Sequence, residues 1–318
     1  MLSLAAIAGI LVYRMSGWDF DWSLFFSSFW NVHPGWLMAS IGATGVTYVA
    51  RAFRWQVLLN PVKSIRIGSL LTANIVGFSA IYVLGRAGEL IRPLLLARRE
   101  QMSVTASLAT IVVERFLDSL MLIVIFAASL LLIELPAAAE KTLALMKNTA
   151  WLMLIGSVGG IVFLFLFRSN TDRIIGLVPF ARIASLLRSF SEGLTFLRRA
   201  SSLALALAHS AAVWAFIVLQ FWFMLLGMNF DFSIQASSLV LVGAAIGSLA
   251  QIPGVGGGFQ AGYVFCMTTF FLVPAEQAIA TSLVAWVLSY VPTVAMAGLY
   301  MISHGLSLKD LRTAAVTE

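Results

Sequence analysis

From Gly85 to Arg92 the chain reads Gly-Arg-Ala-Gly-Glu-Leu-Ile-Arg, which places three formal charges, Arg86, Glu89 and Arg92, within seven residues. Apolar runs flank it, Ile65–Val83 before and Leu94–Ala97 after, and Gly85 and Gly88 break the helical pattern. At membrane depth such a break exposes backbone N–H and C=O groups, which are tolerated only inside protein or beside a watery cavity. Ionisable side chains there are functional candidates by default. The plain alternative is a cytoplasmic loop between two helices. A second cluster, Glu114, Arg115 and Asp118, lies in the apolar stretch Ser103–Leu135, roughly 16–22 Å from its start at 1.5 Å per residue. That depth is close to a bilayer midplane. Glu114 and Asp118 share a helix face, and Arg115 can pair with Asp118 one turn on. Such a cluster either ties helices together or serves a charged substrate.

The elements that must position these residues are membrane helices. Of the 318 residues, 60% are hydrophobic and 11% charged, and the mean hydropathy is +0.96, far from a soluble domain. The net charge of +6 comes from Arg and Lys in short loops, where they orient a polytopic protein and imply no nucleic acid. A single cysteine, Cys266, excludes an intramolecular disulfide and is expected as a buried thiol.

Met1–Tyr13 is apolar but short for a span, and reads as a short or truncated first helix without the basic start of a signal sequence. Trp18, Trp22 and Trp30 give Ser16–His33 an interfacial character. Pro34–Leu59, Ser103–Leu135, Leu143–Phe167, Leu203–Leu226 and Glu276–Ile302 are long enough to span, making about six spans with the first segment. Arg168–Arg199 is basic and amphipathic, suited to a cytoplasmic membrane surface or to a plain helical linker. Ile234–Phe271 is a second broken segment, interrupted at Pro253, Gly254, Gly256 and Gly257; without Gly-Lys-Ser/Thr or a strand before it, this is no phosphate loop.

Residues 34–135 and 202–302 therefore read alike: span, broken pair, span. Residues 1–33, 136–201 and 303–318 are an outer segment, a connector with the amphipathic helix, and a tail. Basic stretches at Arg51–Arg66, Arg98–Arg99, Arg168–Arg199 and Lys309/Arg312 fall on the cytoplasmic side, and only Arg14 falls on the wrong one. This orientation holds only if each broken segment returns to the side it entered from. The expected fold is thus an all-α polytopic membrane protein with two opposed re-entrant hairpins in an inverted repeat, a pattern that points to a transporter's midplane site.

Four motifs, Arg51-Ala-Phe-Arg-Trp55, Gly85-Arg-Ala-Gly-Glu-Leu-Ile-Arg92, Val113-Glu-Arg-Phe-Leu-Asp118 and Ile252-Pro-Gly-Val-Gly-Gly-Gly258, together resemble the flippase-like transmembrane family, the membrane part of lysylphosphatidylglycerol synthases. The similarity runs from about Pro34 to the last span. It implies movement of polar lipids between leaflets (aminoacylated phosphatidylglycerol, hopanoids or polyprenyl-linked glycans) in a bacterial inner or archaeal plasma membrane, with the C-terminus cytoplasmic. A homo-oligomer or a lipid-synthase partner is compatible with it. Gln260 stands where the family often has an acidic residue, and no aminoacyl-transferring domain is present, so lysyl transfer is not expected.

On this reading Arg86, Arg92 and Arg115 are the phosphate ligands, because guanidinium forks bind two oxygens at once. Glu89, Glu114 and Asp118 hold those arginines or meet a cationic headgroup, Arg54 joins them, and Gly85, Gly88, Pro253, Gly254, Gly256 and Gly257 shape the hairpin tips. No cofactor or metal is expected, since His33, His209 and His304 lack ligand spacing. Three rival readings stay open: an ion-coupled transporter of a small solute with Glu114 or Asp118 as proton site, a membrane enzyme, and a partner subunit in lipid modification.

Overall fold

The computed structural model describes residues 20–30, 32–133, 140–252 and 256–303. Twelve helices of at least six residues occur among them. A short helix α1 (Trp22–Ser27), N-capped by Asp21, is followed by α2 (Pro34–Leu59). Next come α3 (Ile67–Leu84), a 3-10 turn over Gly85–Leu90, α4 (Ile91–Arg99) and α5 (Val104–Leu132). The connector holds α6 (Glu140–Ser169), α7 (Thr171–Gly176) and α8 (Ala181–Gly193). The second half holds α9 (Ala200–Gly227), α10 (Ile234–Gly247), α11 (Gly258–Phe271) and α12 (Ala275–Ser303).

Among the described residues, four stretches are long and apolar enough to cross a membrane: Val104–Leu132, Trp151–Ser169, Ala200–Gly227 and Ala275–Tyr300. Helix α2 has the length, at 26 residues. Its serine, threonines, glycines and two arginines lower its hydropathy, and ten of its residues, Arg54 among them, are buried against other helices. The expected first span at Met1–Tyr13 lies outside the described residues, as does Trp18. Trp22 and Trp30 are exposed, as interfacial residues should be.

Local chemistry sets the breaks. Ser103 and Ser233 cap α5 and α10, their hydroxyls accepting from the N–H groups of Ala106 (3.4 Å) and Ala236 (3.2 Å). The stretch expected as one amphipathic helix is two, α7 and α8, because Pro179 cannot continue the first. In the second broken segment a two-residue antiparallel ladder pairs β1 (Gln251–Ile252) with β2 (Gly256–Gly257), a detail absent from the all-α expectation. Gly257, at φ 73°, takes the left-handed turn into α11. Pro253 and Gly254 lie outside the described residues.

Helices α3 and α4 pack side by side, as do α10 and α11. The packing of the two halves is reciprocal. α2 lies along α9, the most extensive helix contact in the molecule; α3 packs on α12 and α10 packs on α5; α4 touches α5 as α11 touches α12. Between α10 and α11 the approach is backbone to backbone: a Cβ on Gly247 would meet the Gly258 carbonyl oxygen, and one on Gly262 the Gly243 carbonyl oxygen. Two Gly-x-x-x-Gly faces thus oppose each other. Cys266 is buried there beside Gly243, as expected of a packed thiol. In the first hairpin Gly88 lies against the Ala80 backbone, and a Cβ on Gly77 would stand 2.5 Å from that of Arg92.

Gly247→Ala should destabilise the protein by about 1–3 kcal/mol, the usual cost of overpacking. Gly45→Ala, at a helix position with open space around it, should leave the melting temperature unchanged or raise it. Thermal unfolding in detergent, followed by tryptophan fluorescence, would compare the two.

Candidate functional site

Glu114 and Asp118 project from the middle of α5 into the bundle, where they are 0% and 8% exposed. A buried carboxylate is tolerated only when paired and hydrogen-bonded. Arg92, from the first turns of α4, grips Glu114 with both terminal nitrogens, Nη1 to Oε2 at 2.5 Å and Nη2 to Oε1 at 2.9 Å. Arg54 of α2, fully buried, donates to Asp118 Oδ1 at 2.5 Å and lies 3.6 Å from Glu114 Oε2. Arg115 pairs with Asp118 Oδ2 at 3.0 Å. Both carboxylates are therefore shared, and α2, α4 and α5 are tied at one level.

Aromatic and hydroxyl groups complete the enclosure. The Arg92 guanidinium stacks over Trp55 at 4.0 Å, and the Trp55 indole N–H donates to Thr110 Oγ1 at 2.9 Å. From α9, the Trp214 indole N–H donates to Asp118 Oδ1 at 3.0 Å, and Arg54 Nη1 donates to Ser210 Oγ at 3.3 Å. The network thereby crosses from the first half into the second.

Beside it lies a cavity of about 280 Å³, lined from the first half by Tyr48, Arg51, Glu89 and Arg115 and from the second by Trp214, Gln220, Trp286 and Ser289. Glu89, Arg92 and Arg115 also border a smaller cleft behind Phe78. Arg115 is 38% exposed, in contrast to Arg54 and Arg92.

Of the residues singled out from sequence, the fold brings Arg54, Arg92, Glu114, Arg115 and Asp118 into one network and places Glu89 on the cavity wall. Arg86 sits in the 3-10 turn with Gly85 and Gly88, but its side chain lies outside the described residues. Gly256 and Gly257 form the short strand β2. Gln260 lies in α11 with its Oε1 buried and making no hydrogen bond. Among the participants missed were Arg51 as a cavity group and Trp214 as a partner of Asp118. Arg51 stood in a quoted motif three residues before Arg54, whereas nothing local to Trp214 announces a partner 96 residues away. Among the described residues no group of three or more His, Cys, Asp or Glu is placed to hold a metal ion.

A bundle of long apolar helices around a buried charged network defines a polytopic helical membrane protein with a polar interior. Residues 1–297 match the family described as the lysylphosphatidylglycerol synthase TM region, and the chain belongs to that family. It is thus a multi-pass membrane protein of flippase-like, lipid-handling character, and the matched part is the synthase's transmembrane region rather than its catalytic domain. No curated protein and no solved structure matches the chain.

Glu114→Ala would leave Arg92 and Arg54 short of their counter-charge and should cost about 3–5 kcal/mol of stability. Arg115→Ala should cost no more than about 1 kcal/mol, since its pair is partly exposed. Melting temperatures of the two purified variants would separate them.

Proposed function

We propose that this protein moves a polar or anionic lipid between membrane leaflets, its headgroup passing through the cavity beside the guanidinium–carboxylate network while the acyl chains stay in lipid. The observation that carries the reading is the place of that cavity, walled by both halves of the chain with charged groups on one side of it. A free charge at the bilayer centre costs roughly 2.5–3.5 kcal/mol on insertion scales. A headgroup crossing the membrane needs such a polar lining.

The two halves, residues 34–135 and 202–302, act as inverted repeats with α3–α4 and α10–α11 as opposed re-entrant hairpins. Residues 1–33 form an outer segment, 136–201 the connector, and 303–318 a cytoplasmic tail. The reciprocal packing supports this division: each hairpin rests on the last long helix of the other half. Rocking of one repeat against the other would open the cavity to either side in turn. The distribution of Lys and Arg supports a cytoplasmic C-terminus in a bacterial inner or archaeal plasma membrane. Arg115 meets the headgroup; Arg54, Arg92, Glu114 and Asp118 hold the wall in shape. The last two are engaged by arginines, which weighs against either as a proton site for solute coupling.

Reconstituted liposomes carrying acyl-labelled lipids test this by the rate at which label becomes protected from an added quencher. Wild-type protein should accelerate the exchange, and Arg115→Ala, folded by its melting curve, should slow it about tenfold, the worth of one charge-assisted hydrogen bond. An unaffected Arg115→Ala rate would sink the assignment of that residue. No lipid movement by folded wild type would sink the function.

A further inference from the structure

The two walls of the cavity differ in charge. On the first-half wall the Arg51 guanidinium stacks over Phe78 at 4.6 Å, and its Nη1 is buried without a hydrogen-bond partner among the described residues. Arg115, on the same wall, gives Nη2 to Asp118, and its buried Nε has no partner among the described residues. Arginines Arg51, Arg54, Arg92 and Arg115 thus stand against three carboxylates, Glu89, Glu114 and Asp118. Glu114 and Asp118 are held by those arginines, and Glu89 is not without a partner. The second-half wall is uncharged. Its polar groups are Gln220, which donates to Ser289 Oγ at 2.8 Å, Ser289 itself, Ser248, and the Trp286 indole, whose buried N–H has no partner among the described residues.

Each feature restricts the occupant. Desolvated guanidinium N–H groups without acceptors favour an oxyanion, and a phosphate can accept from two such donors at once. An amine brought into the same space would meet the Arg51 and Arg115 guanidiniums, while Glu114 and Asp118 are already held by arginines, so like charge disfavours it. Amide, hydroxyl and indole groups on the far wall suit hydroxyls. At about 280 Å³ the cavity sits below the usual size of pockets for drug-sized ligands, so the remainder of the headgroup is small.

We infer that the cavity selects an anionic phosphodiester whose other substituent is a small, uncharged, hydroxyl-bearing group, with Arg51 and Arg115 as its phosphate ligands. The inference rests on the lipid-translocation reading for the source of that phosphodiester. It excludes amine-bearing headgroups as preferred cargo. Arg51 is then a specificity-determining residue, distinct from the internally paired Arg54 and Arg92.

The test uses the full chain in liposomes with acyl-labelled phosphatidylglycerol, phosphatidylethanolamine and lysyl-phosphatidylglycerol, beside binding of the same lipids to purified protein by native mass spectrometry. Arg51→Gln and Arg51→Lys are compared with wild type, each with its melting curve. Phosphatidylglycerol should move and bind best, and Arg51→Gln should weaken both by about 10- to 100-fold, the span expected for one charged hydrogen bond. Arg51→Lys should recover part of the loss. Equal handling of the three lipids, or an Arg51→Gln protein as effective as wild type, would overturn the inference while leaving lipid translocation standing. Selective, Arg51-dependent binding of phosphatidylglycerol with no movement of any lipid would support the inference and defeat the translocation reading. Competition by soluble glycerol phosphate as strong as that by the lipid would assign the anion site to a solute and overturn the lipid form of the proposal.

Discussion

Two carboxylates in the interior of an apolar helix are the constraint on which this molecule depends. Glu114 and Asp118 sit mid-way along α5, and an ion there without a partner would cost several kcal/mol after every relaxation the protein can make. Their partners come from three directions. Arg92 reaches Glu114 only because the chain turns at Gly85–Leu90 and lays α4 against α3, where Gly77 leaves room for the Arg92 stem. Arg54 reaches both acids because α2 runs past α5 at the same level. Trp214 and Ser210 fix the face that α9 presents. Bidentate geometry on Glu114 and multiple donors on Asp118 turn a costly burial into a register for four helices.

The second half reaches a comparable packing by other means. Its hairpin contains no charge between Ile234 and Phe271, and its helices are joined by the opposed glycines Gly243, Gly247, Gly258 and Gly262. In a membrane, where lipid offers apolar surface as good as a neighbouring helix, such close approach gains its attraction from packing over a large backbone area. One hairpin is therefore held by directional ion pairs and the other by shape. Polar contacts across the divide are few and short-ranged. Tyr48 hydroxyl meets Thr293 Oγ1 at 2.9 Å, Ser40 donates to the Gln220 carbonyl at 2.9 Å, and Ser79 donates to the Thr293 carbonyl at 3.0 Å. Thr293 follows Pro292, which removes an N–H from the middle of α12.

Sequence alone revealed what composition and short spacing encode. Long apolar runs announced the spans, glycines and charges announced the first break, and the three- and four-residue separations in Val113–Asp118 announced a shared face. Pairings between distant segments were not legible. Arg92 with Glu114 and Arg54 with Asp118 are 22 and 64 residues apart, and many charged residues could have paired otherwise. The glycine loop drew attention to Pro253, Gly254, Gly256 and Gly257, whereas a backbone-to-backbone helix approach is made by Gly243, Gly247, Gly258 and Gly262, whose spacing of four is a helix-face signal. In sequence, Arg51 opened one of the basic stretches assigned to the cytoplasmic side. Only the fold, by turning it over Phe78 into the cavity, separates it from Arg54.

That separation gives a physical reason for carrying so many arginines in one place. A guanidinium with its own buried carboxylate is a rigid wall: its charge is spent, and pulling it toward a substrate would break a pair held at 2.5 Å. On the proposed function, Arg54 and Arg92 therefore hold the wall while other groups meet the headgroup. The Arg51 guanidinium, on the cavity wall over Phe78 and with no acceptor for its Nη1 among the described residues, is differently placed, because an incoming oxyanion improves its state without displacing a partner. One helix, α2, supplies an example of each, three residues apart.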